Sequence, residues 1–267
     1  MVKIINSKIN KAIKKFNMFT RQDRIALAIS GGKDSILLSY ILKKMGFNIE
    51  LIFINLGIKS SEESLTVVKN FSEKYNLKLH IINTTEELGF SINDLYKKYK
   101  KYTCRHCGSV KRYLLNNFVY KNRFDVLATG HNMDDEIENL LANNLRWDIE
   151  HLYKTYPVLE IKEGFIKKVK PLCYLRKKEI NKIVDFLKLE YYKGSCDYSL
   201  AGSRIKYRSI IEKIDGINPK LVIDYYINFL NTRNIFEYKR KINRCICGNY
   251  TTGLKCNICR IKKDLKK

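Results

Sequence analysis

The chain has little proline, three residues in 267, and a single tryptophan. No proline-rich or other low-complexity linker divides it, and no internal repeat is visible. No apolar run reaches the length of a membrane span. The N-terminal stretch sets Lys3, Lys8, Lys11, Lys14 and Lys15 among its apolar positions, which excludes a secretory core. The expectation is a soluble, intracellular, cytoplasmic protein without a membrane partner. Acidic residues are scarce, 27 Asp plus Glu against 51 Lys plus Arg, for a net charge of +24. A Lys- and Ile-rich composition contributes to this, but so large an excess points to a polyanionic partner. No cysteine precedes Cys104. The eight that follow, in an intracellular chain, read as metal ligands rather than disulfides.

What is present is a core's worth of apolar residues, 45%, enough for one large domain with appendages. Residues 1–20 read as a basic amphipathic helix (Ile4, Ile5, Ile9, Ile13, Phe16). Strand-like and helix-like segments then alternate. Strands are expected at Ile25–Ile29, Ile49–Ile54, Leu77–Ile82, Val126–Thr129 and Phe165–Val169. Helices are expected at Ile36–Met45, Ser61–Tyr75, Ile92–Tyr102, Ser109–Tyr120, Asp135–Leu145 and Lys177–Leu187. The rhythm predicts an α/β fold, a parallel sheet covered on both faces. Two more helices, Tyr207–Ile214 and Pro219–Asn231, precede a basic tail. The division is 1–20, 21–200, 201–240 and 241–267.

The most informative stretch is Leu27-Ala28-Ile29-Ser30-Gly31-Gly32-Lys33-Asp34-Ser35. It reads as a strand, a tight glycine turn and a helix N-terminus. Backbone N–H groups in such a turn, with the helix dipole behind them, cradle an anion. Glycines allow close backbone approach. Lys33 adds positive charge, and the Asp34 carboxylate can reach a phosphate-bound Mg²⁺. The Walker A spacing is absent.

Cys245-x-Cys247 and Cys256-x-x-Cys259 supply four thiolates at a spacing that suits tetrahedral Zn²⁺. Gly248 follows the first pair and Thr251-Thr252-Gly253 makes a turn. The first pair is one residue shorter than the usual CxxC. So short a segment cannot build a core, so the metal is expected to supply its stability. Cys104-Arg105-His106-Cys107 is a CxxC expected just before a helix, and Cys196 stands far downstream. Three cysteines can hold a [4Fe–4S] cluster with one iron open. A redox dithiol, or a second zinc site using His106, fits the spacing equally. Cys173, in Pro171-Leu172-Cys173-Tyr174, reads as a buried thiol. Tyr96-Lys97-Lys98-Tyr99-Lys100-Lys101-Tyr102 interleaves cations with rings, as suits a phosphate backbone and unstacked bases.

Ser30 to Ser35 resembles the PP-loop of enzymes that split ATP into AMP and pyrophosphate. The full series is that loop, Cys104-x-x-Cys107-Gly108 with Lys111-Arg112-Tyr113-Leu114, Thr129-Gly130-His131-Asn132-Met133-Asp134-Asp135-Glu136, Val169-Lys170-Pro171-Leu172, Cys196 and a Cys-rich tail. In that order it resembles the TtcA/TtuA-type tRNA thiolases, of the archaeal and eukaryotic-cytoplasmic 2-thiouridine kind. The resemblance implies an adenine nucleotide alpha-hydrolase-like domain with a helical C-terminal part and a zinc-binding tail. It implies that Ser30, Gly31, Gly32, Lys33, Asp34 and Ser35 hold ATP phosphates. Ile29 and Ile54 would present backbone to adenine, Lys111 and Gly130 would complete the nucleotide site, and Asp135 or Asp134 would act at the reacting centre. Cys104, Cys107 and Cys196 would carry the [4Fe–4S] cluster and Cys245, Cys247, Cys256 and Cys259 zinc. The implied partners are tRNA and a sulfur donor, free sulfide or a thiocarboxylated ubiquitin-like carrier protein, with a homodimer allowed. Two departures stand out. Relatives carry a further zinc ribbon ahead of the PP-loop domain, where this chain has no cysteine. They also carry Cys-Pro-Tyr where this chain has Cys196-Asp197-Tyr198.

The implied reaction is adenylation of a tRNA pyrimidine, at uridine C2, followed by replacement of oxygen by sulfur. The rival versions are a dithiol that carries persulfide, thiolation of cytidine, a PP-loop enzyme that amidates or lysylates, and a non-enzymatic zinc and RNA-binding protein.

Overall fold

The computed structural model describes residues 1–160, 165–198, 203–232, 235, 242–251 and 253–266, without the side chains of 203–206. The boundaries expected at 200/201 and 240/241, and the turn residue Thr252, lie outside the described residues.

The chain opens with α1 (Val2–Lys15), which buries Ile5, Ile9, Ala12 and Ile13 on one face and leaves its lysines outside. Each such fully buried aliphatic side chain contributes about 1.5–3 kcal/mol. The alternating region follows as β1 (Ile25–Ala28), α2 (Lys33–Lys44), β2 (Ile49–Asn55), α3 (Lys59–Lys74) and β3 (Leu79–Asn83). A short α4 (Thr84–Leu88) leads to α5 (Ile92–Tyr99), started by a capping box in which Ser91 and Asp94 satisfy each other's backbone N–H. One 3₁₀ turn later comes α6 (Thr103–Lys121), then β4 (Val126–Thr129), α7 (Met133–Asn144) and α8 (Ile149–Lys154). Strands β5 (Val158–Leu159) and β6 (Lys167–Val169) and helices α9 (Lys177–Phe186), α10 (Ser203–Ile217) and α11 (Pro219–Thr232) complete the main body. A hairpin of β7 (Asn243–Arg244) and β8 (Tyr250–Thr251) and a last helix, α12 (Asn257–Leu265), form the tail.

The sheet runs β3-β2-β1-β4-β6-β5. It is parallel except at the edge, where β5 pairs antiparallel with β6. The parallel sheet expected is present, with the antiparallel edge strand β5 added to it. A two-residue strand carries too little pattern to be read. Between β1 and β4 the chain reverses its winding direction, and a crevice opens there beyond the strand ends. Both Gly-containing turns lie at that crevice.

Two cores cover the two faces. One joins α1, α2, α3, α7, α9, α10 and α11 to the sheet. The other joins α5, α6 and the tail to Ala26, Ile52 and Leu127. The tail therefore does have a core: Cys245, Cys256, Ile258 and Ile261 are buried in it. This corrects the expectation that metal alone would hold the segment. A second correction concerns the CxxC, which lies inside the first turns of α6 and not ahead of a helix. Strand β6 is also shorter than expected, with Phe165 and Ile166 outside it.

Candidate active site

The loop after β1 is fixed from three directions. Ile29 N–H continues the β-ladder to Ile52 O at 3.0 Å. Ser30 N–H donates to Ser35 Oγ at 3.1 Å, and Ser35 Oγ–H to Gly32 O at 2.9 Å. Ser64 of α3 donates to Ser30 O at 2.6 Å, and Tyr192 N–H to Gly31 O at 2.8 Å. Gly31 has φ +79°, and a Cβ there would lie 2.5 Å from Ser64 Oγ. Gly32 is the N-cap of α2, so Lys33, Asp34 and Ser35 form its first turn. The helix N-terminus thus faces the crevice. Ile54 lies in β2, two residues past the Ala28–Ile52 pair, on the neighbouring strand end.

From β4 the chain passes Gly130, whose hypothetical Cβ would sit 2.9 Å from Ser35 N and 3.1 Å from Asp34 C. Only glycine allows that approach, and it brings α7 against α2. Asn132, wholly buried, caps α7 by accepting from Asp135 N–H at 3.1 Å and donates from Nδ2 to Asp34 Oδ1 at 3.1 Å. The Asp135 carboxylate is near enough for its charge to act on Asp34. Burial, and then the Asp135 charge, push the Asp34 carboxyl above its ordinary range. Lys177 of α9 reaches Asp135 Oδ1 at 3.3 Å. Two converging carboxylates beside an anion cradle fit a phosphate-bound Mg²⁺. Asp134 turns elsewhere. It accepts from Arg176 Nε at 2.8 Å and Lys177 N–H at 2.5 Å, and the buried Arg176 also holds Asp215 at 2.9 Å. Of the two expected acids, Asp135 is the one brought to Asp34, while Asp134 locks α7, α9 and α10 together.

A second group of residues is built around the CxxC of α6. Cys107 is buried, and Cys104 and Cys196 are exposed. The segment carrying Cys196 returns from beyond α9 and is held at several points. Ser60 N–H donates to Asp197 Oδ2 at 3.3 Å, and Asp197 N–H to Ser60 Oγ at 3.4 Å. Tyr198 stacks on Tyr96 at 4.5 Å and donates to Asn93 Oδ1. Cys104 Sγ meets Tyr198 O at 3.5 Å. Burial pushes the Cys107 thiol up, Lys111 pulls it down, and Cys196 and Cys104 push it up further. The three thiols therefore share one electrostatic neighbourhood with Lys111, one helical turn beyond Cys107. Among the described residues their sulfurs do not form a set as tight as the tail's.

In the tail the four Sγ atoms lie within 4.8 Å of one another. Cys245–Cys259 is 3.7 Å and Cys247–Cys256 3.6 Å. A Zn–S bond of about 2.3 Å gives a tetrahedral edge of about 3.8 Å. The short first pair is accommodated by Gly248 at φ +84°, whose N–H returns to Cys245 O at 2.8 Å. Backbone N–H groups of Cys247 and Cys256 hold the Cys245 thiol below its usual range. Cys173 is fully buried, and burial pushes its thiol far up. It is a core residue, as the sequence indicates.

Sequence reading passed over several residues that build the site. Asn132 carried a signal, an N-cap residue three positions before an acid. Ser64, Tyr192 and Arg176 carried none, because their roles exist only after distant elements meet.

Residues 1–213 match the PP-loop domain family. The tRNA-5-methyluridine(54) 2-sulfurtransferase of Pyrococcus horikoshii is 35% identical over 97% of this chain and 85% of its own length. The Dictyostelium discoideum "Cytoplasmic tRNA 2-thiolation protein 1" is 30% identical over 98% of this chain and 76% of its own length. Among solved structures, the U34-tRNA thiolase NcsA of Methanococcus maripaludis, with its [4Fe–4S] cluster, aligns with a TM-score of 0.84 at 25% identity. The alignment covers 99% of this chain and 88% of that one.

Proposed function

The chain belongs to the PP-loop domain family, and on that premise we propose that it is an ATP-dependent tRNA sulfurtransferase that thiolates a pyrimidine, uridine at C2. The observation that carries this reading is that one segment joins two groups: Tyr192 N–H bonds Gly31 O of the loop that bears Asp34, and Cys196, four residues on, shares its surroundings with Cys104, Cys107 and Lys111. The relatives named for 2-thiolation and for sulfur transfer at 5-methyluridine support the choice of C2.

A pyrimidine carbonyl oxygen is a poor leaving group, so it is first made part of a phosphate. The loop N–H groups, Lys33 and the α2 N-terminus hold the ATP phosphates. Asp34 and Asp135 would hold Mg²⁺, which would supply positive charge against that developing on pyrophosphate. The base oxygen bonds to the α-phosphorus as the bond to pyrophosphate breaks. Sulfur from hydrosulfide then bonds to C2 as the C–O bond breaks, and AMP leaves with that oxygen. Lys111 stands beside the thiols, where its charge steadies an incoming anionic sulfur. Cys104, Cys107 and Cys196 fit a [4Fe–4S] cluster, which when bound supplies an iron with an open position for an external sulfur ligand. The tail cysteines fit zinc, in a structural role. The target base must leave its stack to reach the crevice. In this reading residues 21–200 do the chemistry, and 1–20, 201–240 and 241–267 help hold the RNA. A cytoplasmic location accords with the described helices, none of which is long and apolar enough to cross a membrane.

The test supplies protein, ATP, Mg²⁺ and sulfide with and without unmodified tRNA. Pyrophosphate release that depends on tRNA, and a thiolated pyrimidine in its nucleoside mass spectrum, are expected. Unchanged tRNA would overturn the reading. Full activity of rigorously iron-free protein would mean that hydrosulfide attacks C2 without a cluster to hold it.

A further inference from the structure

Helices α5 and α12 pack side by side and leave an open cleft of about 630 Å³ between them. Its floor includes Phe90 and Leu265, and its walls carry Lys97, Lys98, Lys262 and Lys266. All four lysines are exposed, and none makes an ion pair among the described residues. The acids nearby in sequence are mostly committed. Asp94, which also lines the cleft, accepts from Ser91 N–H at 2.8 Å and Ser91 Oγ–H at 2.7 Å. Glu86 accepts from Asn83 Nδ2 at 3.0 Å, and Asp264 from Tyr99 Oη–H at 2.9 Å. Four cations on a concave wall, with Asp94 the one acid of the lining, focus positive potential into the cleft.

The cleft also leads somewhere. Tyr99 joins its two walls through Asp264, and its ring lies flat on His106 at 3.7 Å. His106 stands between Cys104 and Cys107. Just past α5, Tyr102 is 56% exposed, with Lys101 Nζ 5.2 Å from its ring centre. An exposed ring beside a cation offers a stacking face for a base, which an acidic protein does not need.

Resting on the reading above, we propose that the α5–α12 cleft is a docking groove for the RNA sugar–phosphate backbone that leads the strand toward the Cys104–Cys107 wall of the site. Phosphates contact Lys97, Lys98, Lys262 and Lys266, and the strand continues past Tyr102.

The test compares two variants that each lose four charges. One is K97A/K98A/K262A/K266A. The other is K44A/K69A/K182A/K188A, whose exposed lysines lie on or beside α2, α3 and α9, against the opposite sheet face. Binding of unmodified tRNA is measured across a salt series. The cleft variant is expected to bind more than about tenfold more weakly and to lose about 3 from the log–log salt slope, since each of four phosphate contacts to a single strand contributes about 0.7. The control variant should keep most of both, and K97R/K98R/K262R/K266R should bind as wild type. Equal losses in the two alanine variants would mean that net charge alone binds, and would overturn the groove. Unchanged tRNA binding by the cleft variant, with loss of binding to an acidic carrier protein, would assign the cleft to that partner instead. If wild-type protein thiolates tRNA while the cleft variant binds it normally, the function stands and the groove falls. If wild-type protein binds no tRNA, both fall.

Discussion

At the scale of single residues the nucleotide site is held in a state that disfavours the folded chain. The Asp135 charge acts on Asp34, and Asn132 bonds to both. The folded-state carboxyl of Asp34 titrates above its unfolded value, so the folded state prefers the protonated form. The penalty is absent at acid pH and grows as pH rises through the folded pKa. Asp34→Asn should therefore raise the melting temperature at neutral pH in Mg²⁺-free buffer, with a gain that shrinks on acidification, and should abolish thiolation. Melts at several pH values with a parallel assay check this. A variant that melts at the wild-type temperature throughout would show that neither burial nor the Asp135 charge disfavours the Asp34 carboxylate. Gly130 is governed by distance. A methyl group 2.9 Å from the Ser35 backbone forces α7 away from α2. Gly130→Ala should cost about 1–3 kcal/mol of stability, the usual range for overpacking, and weaken ATP binding in equilibrium titration. Unchanged affinity would mean that the spacing between the two turns does not matter.

At the scale of elements, the alternation of strands and helices was legible because each has a periodic apolar face long enough to read. Short pieces were not. Helices α4 and α8 and strand β5 have too few residues to show a period. The start of α6 was missed because Thr103 to Ser109 shows no apolar stripe. That turn is held by tertiary contacts, Cys107 in the core and His106 under Tyr99. The tail was legible as a set of four cysteines at metal-ligand spacing but not as a packed element. Nothing in Ile258 and Ile261 says that α6 will be their neighbour. This division of labour predicts the effect of metal removal. Cys256→Ser with Cys259→Ser should release the zinc and raise hydrogen exchange across β7, β8 and α12, while the main sheet still unfolds in one transition. Exchange confined to the hairpin, with α12 still protected, would mean that the apolar contacts alone hold the helix.

At the scale of the whole molecule, the proposed cluster site depends on a return of the chain that no local pattern encodes. The CxxC sits on α6, and Cys196 arrives only after β4, β6 and α9 have been built. Its position is then set by Ser60 on α3 and Asn93 on α5, elements on opposite sides of the sheet. The sequence supplies the three sulfurs and the fold supplies their meeting. Protein purified without oxygen should be brown and hold about four irons per chain. Cys104→Ala, Cys107→Ala and Cys196→Ala should each lose the iron and the activity, and Cys173→Ala neither, since Cys173 lies in the first core, apart from these thiols. Asp197→Ala separates ligand from scaffold. It removes the Asp197 carboxylate that accepts from Ser60 N–H and leaves every thiol in place. The cluster should still form but bleach faster in air, with a changed electron paramagnetic signature in the reduced state. An Asp197→Ala protein whose cluster is as long-lived and spectroscopically identical would mean that the Ser60 contact does not position Cys196, and that ligation itself fixes the segment.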